Sequence, residues 1–171
     1  MKLVIDERRR SGQSRVSANK LISMQLRLLE QWRETAGGLQ EAMVLMAIVV
    51  ITGDKLIRSA PDPGLRNIAN PVPLSLLGTC NLSSIAAATG INRETVRRIV
   101  NRLIAEGRLI RSAEGSINFS VGWVQRGQAH RLANFQLDEF CRTANSLLRD
   151  GVLLYVGGSV EPTPSAAQIN E

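Results

Sequence analysis

LSSIAAATGINRETVRRIVNRL, residues 82–103, divides at a single glycine into a short helix of small residues and a longer amphipathic one. Ser83 or Ser84 is expected to cap the first helix, since a hydroxyl there accepts from the exposed N–H groups of the first turn. Ile85, Ala86 and Thr89 lie along it, and Ala86 to Ala88 keep it slim enough for a second helix to cross closely. Gly90 permits a turn through left-handed backbone. Ile91 plugs the inside of that turn, and Asn92 caps the next helix. There, Val96, Ile99, Val100, Leu103 and Ile104 share one face by helical spacing. The opposite face carries Glu94, Arg98, Asn101, Arg102 and Ala105, with Arg93 and Arg97 at one border.

The chain continues as RLIRSAEGSINFSVG, residues 108–122. Arg108 to Ser112 reads as a strand, Ala113 to Gly115 as a tight turn and Ser116 to Val121 as a returning strand. Ile117, Phe119 and Val121 alternate with Asn118 and Ser120, which is the pattern of a half-buried strand. Helix, turn, helix and hairpin in this order predict a winged helix-turn-helix over 74–122. The expected fold is mainly α: a three-helix core plus a β-hairpin wing, flanked by N- and C-terminal helices.

Asn92-Arg93-Glu94-Thr95-Val96-Arg97-Arg98 is similar to the recognition helix of the catabolite-activator family, within the wider set of bacterial winged-helix transcriptional regulators. RLIAEGRLIR, residues 102–111, resembles the end of a recognition helix and the first wing strand of such regulators. The resemblance covers about 40 residues. It implies base contacts from the positions of Arg93, Glu94 and Arg98. That family also carries an N-terminal cyclic-nucleotide domain. Residues 1–70 read here as helices, so its ligand does not carry over. Glu114 departs from expectation, placing a negative charge at the wing tip, where a cation would grip phosphate.

Outside this region, residues 1–16 are polar and basic and read as a flexible arm, with Met1 to Ile5 as a potential short strand. A helix is expected from Ser17, its cap, to about Thr35, ended by Gly37-Gly38. A second runs from Leu39 to Arg58, and its centre, AMVLMAIVVI, is apolar on every side and must be covered on every side. A partner subunit is the expected cover, so 17–73 is assigned to dimerisation. Residues 59–73, with four prolines, read as a linker. A C-terminal helix is expected within 123–155, over about 128–149, burying Leu132, Phe135, Phe140, Ala144, Leu147 and Leu148. Residues 156–171 read as a disordered tail.

The balance is basic: 21 Lys and Arg against 15 Asp and Glu over 171 residues, net +6. Placement says more than size. Residues 92–111 hold six arginines and two glutamates, which is +4; the first twenty residues hold six cations and two acids, another +4. Such runs suit a polyanion. Aromatics are only 4 %, too few for the stacking platforms of a single-strand binder. Two distant cysteines and one histidine argue against a structural zinc site, which takes about four ligands. No catalytic constellation is visible, and neither an enzyme nor a cofactor is expected. The start MKLVIDERRR turns charged before a long apolar run develops, so the expected location is the cytoplasm.

The function expected is therefore a homodimeric, sequence-specific regulator of transcription on double-stranded DNA. Its contacts are assigned to Arg93, Glu94, Thr95, Arg97, Arg98, Asn101, Arg102 and Arg111. Against this stands the ordinary role of exposed arginines as solvated charge, and of Glu94 as an ion-pair partner of Arg98. Two alternatives stay open. One is a winged helix used for protein–protein contact. The other is a ligand-sensing regulator with an effector pocket between the N-terminal helices, near Trp32, Met43 and Met46.

Overall fold

The computed structural model describes residues 2–59, 62–124 and 127–156. The chain is mainly helical. Strand β1 (Lys2–Ile5) leads into α1 (Glu7–Gly12), α2 (Ser14–Ala36) and α3 (Leu39–Arg58). After two 3-10 turns come α4 (Leu82–Thr89), α5 (Arg93–Ala105), β2 (Leu109–Arg111) and β3 (Ile117–Phe119). The chain ends with α6 (Val121–Val124), α7 (Gln128–Arg149) and β4 (Leu153–Val156). Two compact units divide these residues: 2–22 with 141–156, and 23–140. The long helices α2 and α7 each contribute to both. Among the described residues, no single helix is long and apolar enough to cross a membrane.

In the larger unit, α3, α4, α5 and the hairpin enclose one core, with Val44, Leu45, Ile48, Ile85, Val96, Val100, Leu103, Leu109 and Ile117 all buried. A boundary at residue 73 therefore does not divide the molecule: the third helix of the core is α3, from the segment assigned to dimerisation. The proline-rich stretch only reverses the chain. It carries a 3-10 turn at Pro63–Arg66, and the Gly78 N–H then donates to the Thr52 carbonyl at 2.8 Å. A Cβ on Gly78 would sit 2.6 Å from the Ile51 carbonyl oxygen, so this close return to α3 depends on a glycine. The apolar centre of α3 is thus covered largely within one chain, leaving Val49, Val50 and Ile57 exposed.

Several local expectations are corrected. The arm is built into regular structure from Lys2 on: β1 pairs antiparallel with β4, Lys2 opposite Val156 and Ile5 opposite Leu153, and Asp6 caps α1 by accepting from the Arg9 N–H at 2.9 Å. Ser17 is not a cap. The helix begins at Ser14, which leaves Ser17 buried in the interior of α2 with its hydroxyl unpartnered. The C-terminal helix spans 128–149 as expected, but after Gly151 turns through left-handed backbone at φ 70° the chain adds a strand, β4. Phe140 is exposed; the inward side of α7 runs through Leu132, Glu139, Thr143 and Leu147, one residue out of step with it. In β3, Asn118 is buried beside Ile117, and Val121 opens α6 and is exposed. The expected disordered tail lies, beyond Val156, outside the described residues.

Candidate nucleic-acid interface

Asn81, two and three residues before the serines expected to cap it, starts α4. Its side chain accepts from the N–H groups of Ser83 and Ser84, each at 3.0 Å, while the Ser84 hydroxyl accepts from the Asn81 N–H at 3.0 Å. This reciprocal box satisfies donors that the helix itself leaves open. Gly90 ends α4 at φ 69°, in the left-handed region that costs glycine nothing. Ile91 packs against the core at the turn. Asn92 then accepts from the Glu94 N–H at 2.9 Å and starts α5.

Four apolar residues hold α5 down: Val96, Ile99, Val100 and Leu103 are buried. Burying side chains of this size contributes roughly 1.5–3 kcal/mol each. With the inner face fixed, helical geometry turns Glu94, Arg98 and Asn101 outward, with Arg93 and Arg97 at the rim, and all five are exposed. Thr95 is half-buried.

The hairpin follows at once. Its register pairs Leu109 with Phe119, Ile110 with Asn118 and Arg111 with Ile117. The Ile117 N–H donates to the Cys80 carbonyl at 2.8 Å, which ties the returning strand to the chain entering α4. Arg111 stands exposed at the end of β2. At the tip, the Glu114 carboxyl is held below its usual range by its own backbone N–H and the Ser112 hydroxyl, so the negative charge there is firmly kept. Cys80 is buried, and burial pushes its thiol up, away from thiolate chemistry.

Side-chain pairing sorts the arginines. Arg97 donates to Glu94 at 2.8 Å, and that guanidinium holds the Glu94 carboxyl below the ordinary carboxylate range. The partner of Glu94 is thus Arg97 and not Arg98. Arg102 points back to the body of the unit. It pairs with Glu41 in the first turn of α3 and lies 3.8 Å from Glu106. Burial raises the Glu41 pKa, but its own backbone N–H, Arg102 and the nearby Arg98 outweigh that and hold the carboxyl low. Arg93, Arg98 and Arg111 form no ion pair among the described residues. The exposed surface therefore joins Arg93, Arg98 and Asn101 on α5, with Arg111 on the adjoining hairpin, while Arg97 is half neutralised and Arg102 is diverted.

Two functional pieces escape a reading of the sequence. Arg108 donates to the Thr35 and Ala36 carbonyls at 3.2 and 3.0 Å, closing the C-terminal end of α2. Glu41 anchors Arg102 across 61 residues of chain. Neither has a local signal, because each partner is brought near only by the folded core. Among the described residues, no group of three or more His, Cys, Asp or Glu side chains is placed to hold a metal ion. No protein family, curated protein or solved structure matches the chain.

Proposed function

We propose that this chain is a winged helix-turn-helix protein that binds double-stranded DNA, with α5 in the major groove and the β2–β3 hairpin as the wing beside the backbone. The observation that carries the reading is the division of α5: four buried apolar residues on one face, and unpaired Arg93 and Arg98 with Asn101 on the other. Arginine forks and asparagine amides match base edges in the major groove, and the N-terminal end of the helix favours phosphate. Arg93 and Arg98 are assigned to bases or phosphates and Arg111 to the backbone. Arg102 is a clamp on α3. The role is binding, not catalysis.

The working form is a homodimer that regulates transcription by occupying an inverted repeat, its two recognition helices about 34 Å apart or a multiple of that. Exposed apolar stripes support the pairing. On α3, Leu39, Met43, Met46, Val50, Gly53 and Ile57 recur at spacings of four and three, with Val50 69 % and Ile57 78 % exposed. On α2, Ile22, Leu26 and Leu29 do the same. Repeats of this kind seat one helix against another.

Selection from a pool of random duplexes at two salt concentrations tests the reading. The wild type should enrich a motif, and its affinity should fall steeply with salt, by about −0.9 in log–log slope per phosphate contact. Arg93→Ala/Arg98→Ala should lose the motif, whereas Arg102→Ala should keep it. A wild type that enriches nothing and binds no better than the double variant at low salt sinks the DNA reading. Such a result favours the second reading, a protein-binding winged helix, which draws support from the firmly ionised Glu114 at the hairpin tip.

A further inference from the structure

The larger unit contains a cavity of about 420 Å³, between α3, the 62–77 segment, the end of the hairpin, α6 and the first turns of α7. We propose that it is a binding site for a small, mainly apolar, uncharged organic molecule carrying one hydrogen-bonding group. The volume falls within the range of small-molecule sites, which are apolar clefts with a few polar groups that fix orientation. Its wall is built that way. Leucines and valines are the commonest lining residues, and Phe119 stacks on Trp123 with ring centres 5.3 Å apart and planes 14° apart.

The polar groups are few and gathered at two places. Asn67 and Asn70 lie on the 62–77 segment beside Arg66, the sole charged residue among the described lining residues. A cationic ligand would meet no carboxylate among the described lining residues. The Gln136 amide is the other polar group. It accepts from the Trp32 indole N–H and donates to the Leu132 carbonyl, each at 3.4 Å. Both contacts are long for such bonds. An amide held so loosely re-aims at little cost toward a ligand. Thr52, by contrast, has already placed its hydroxyl proton on the Ile48 carbonyl at 2.7 Å.

This is not the pocket that the sequence suggested between the N-terminal helices. Trp32 lines it, but Met43 and Met46 do not. It adjoins the hairpin through Phe119, so a ligand there contacts the element that the DNA reading treats as a wing. Occupancy itself is independent of that reading and is measured without DNA.

Both tryptophans of the chain, Trp32 and Trp123, line the cavity, which makes their emission a local reporter. The probe is N-phenyl-1-naphthylamine, neutral, apolar and bright only in apolar surroundings. The full chain should bind one probe per chain with saturation, and tryptophan emission should be quenched in parallel by energy transfer. Ala133→Phe on α7 and Val72→Phe on the facing segment each fill the cavity and should weaken binding by roughly tenfold or more. Val16→Ser, at an exposed position of α2 outside the cavity lining, should leave binding unchanged. Denaturant unfolding identifies which filling variants are folded, and either one suffices. The proposal is overturned if the wild type shows no saturable binding, if a folded filling variant binds as well as wild type, or if Val16→Ser abolishes binding.

Discussion

Helices α5 and α2 both carry apolar residues at helical spacing, but only α5 keeps its stripe wholly inside. In α5 the stripe is the inner face, and its arginines look outward. In α2 the inward side is mixed: Ala36 is buried in the core and Leu28 and Trp32 are half-buried, alongside two ion pairs. Lys20 reaches Asp150 at 2.5 Å in the smaller unit, and Arg27 reaches the buried Glu139 at 2.6 Å in the larger one. The apolar residues Ile22, Leu26 and Leu29 face out. Periodicity reveals that a stripe exists, but not what it packs against. An apolar stripe left outward on α2 is an exposed apolar surface of the kind that marks interaction sites.

The strongest way to break this comparison is to truncate one residue from each stripe. Leu103→Ala in α5 should cost about 2–5 kcal/mol in denaturant unfolding, through lost burial and the cavity left behind. Leu26→Ser should change unfolding of dilute, monomeric protein by no more than about 0.5 kcal/mol, as surface positions do. The same change should lower the tendency to dimerise in sedimentation at high concentration. Equal losses from the two substitutions would mean that the outer face of α2 is covered within the chain.

The next test concerns the polar side of α2. Glu139 is 1 % exposed, whereas the Arg27 side chain is 42 % exposed. Arg27→Met keeps the packing stem and removes the charge-assisted bond. Unfolding stability should fall by roughly 1.5–3 kcal/mol, the contribution of a hydrogen bond to a charged group. A neutral result would show that other donors satisfy Glu139 unaided.

Much of the α4–α5–hairpin region was legible because its signals are local. A glycine turn, an asparagine cap and a stripe at helical spacing lie within 22 residues, and they fix both the helices and the direction each faces. The same holds for the ends of α3 and for α7 over 128–149. What failed depended on distant chain. Strands β1 and β4 lie at opposite ends of the described chain, so KLVI reads only as a potential short strand without a partner, and LLYV carries no strand signal that names its mate. Phe140 was assigned inward because hydrophobicity alone was used, while the Arg27 pairing draws the inward side to Glu139. Arg102 lay on the outer face by angle, yet its long side chain bends to Glu41. Angle on a helical wheel places a Cβ; it does not place the end of an arginine.

Capping offers a smaller, sharper test of local legibility. Asn81 was overlooked in favour of the serines after it, and it supplies acceptors for two backbone N–H groups. Asn81→Ala should cost about 1 kcal/mol, the usual loss for such a cap. Ser83→Ala should cost much less, because no cap bond to the helix backbone runs through its hydroxyl among those of the capping box.

The smallest expected effect ties the core to the candidate interface through pH. Glu41 is ionised at a lower pH in the folded chain than in the unfolded one, where a glutamate titrates near about 4.3. Its pairing therefore contributes stability that is fully present above that value and is withdrawn as pH falls through the lower, folded-state value. Other carboxylates titrate in the same window, so the comparison must be with Glu41→Gln. The variant should be less stable than wild type at neutral pH by on the order of 1 kcal/mol or less, since Arg102 is half exposed and screened. The two should converge in acid. Convergence on raising the pH instead would reverse the sign and remove Glu41 as the anchor of Arg102, returning that arginine to the outward row beside Arg98.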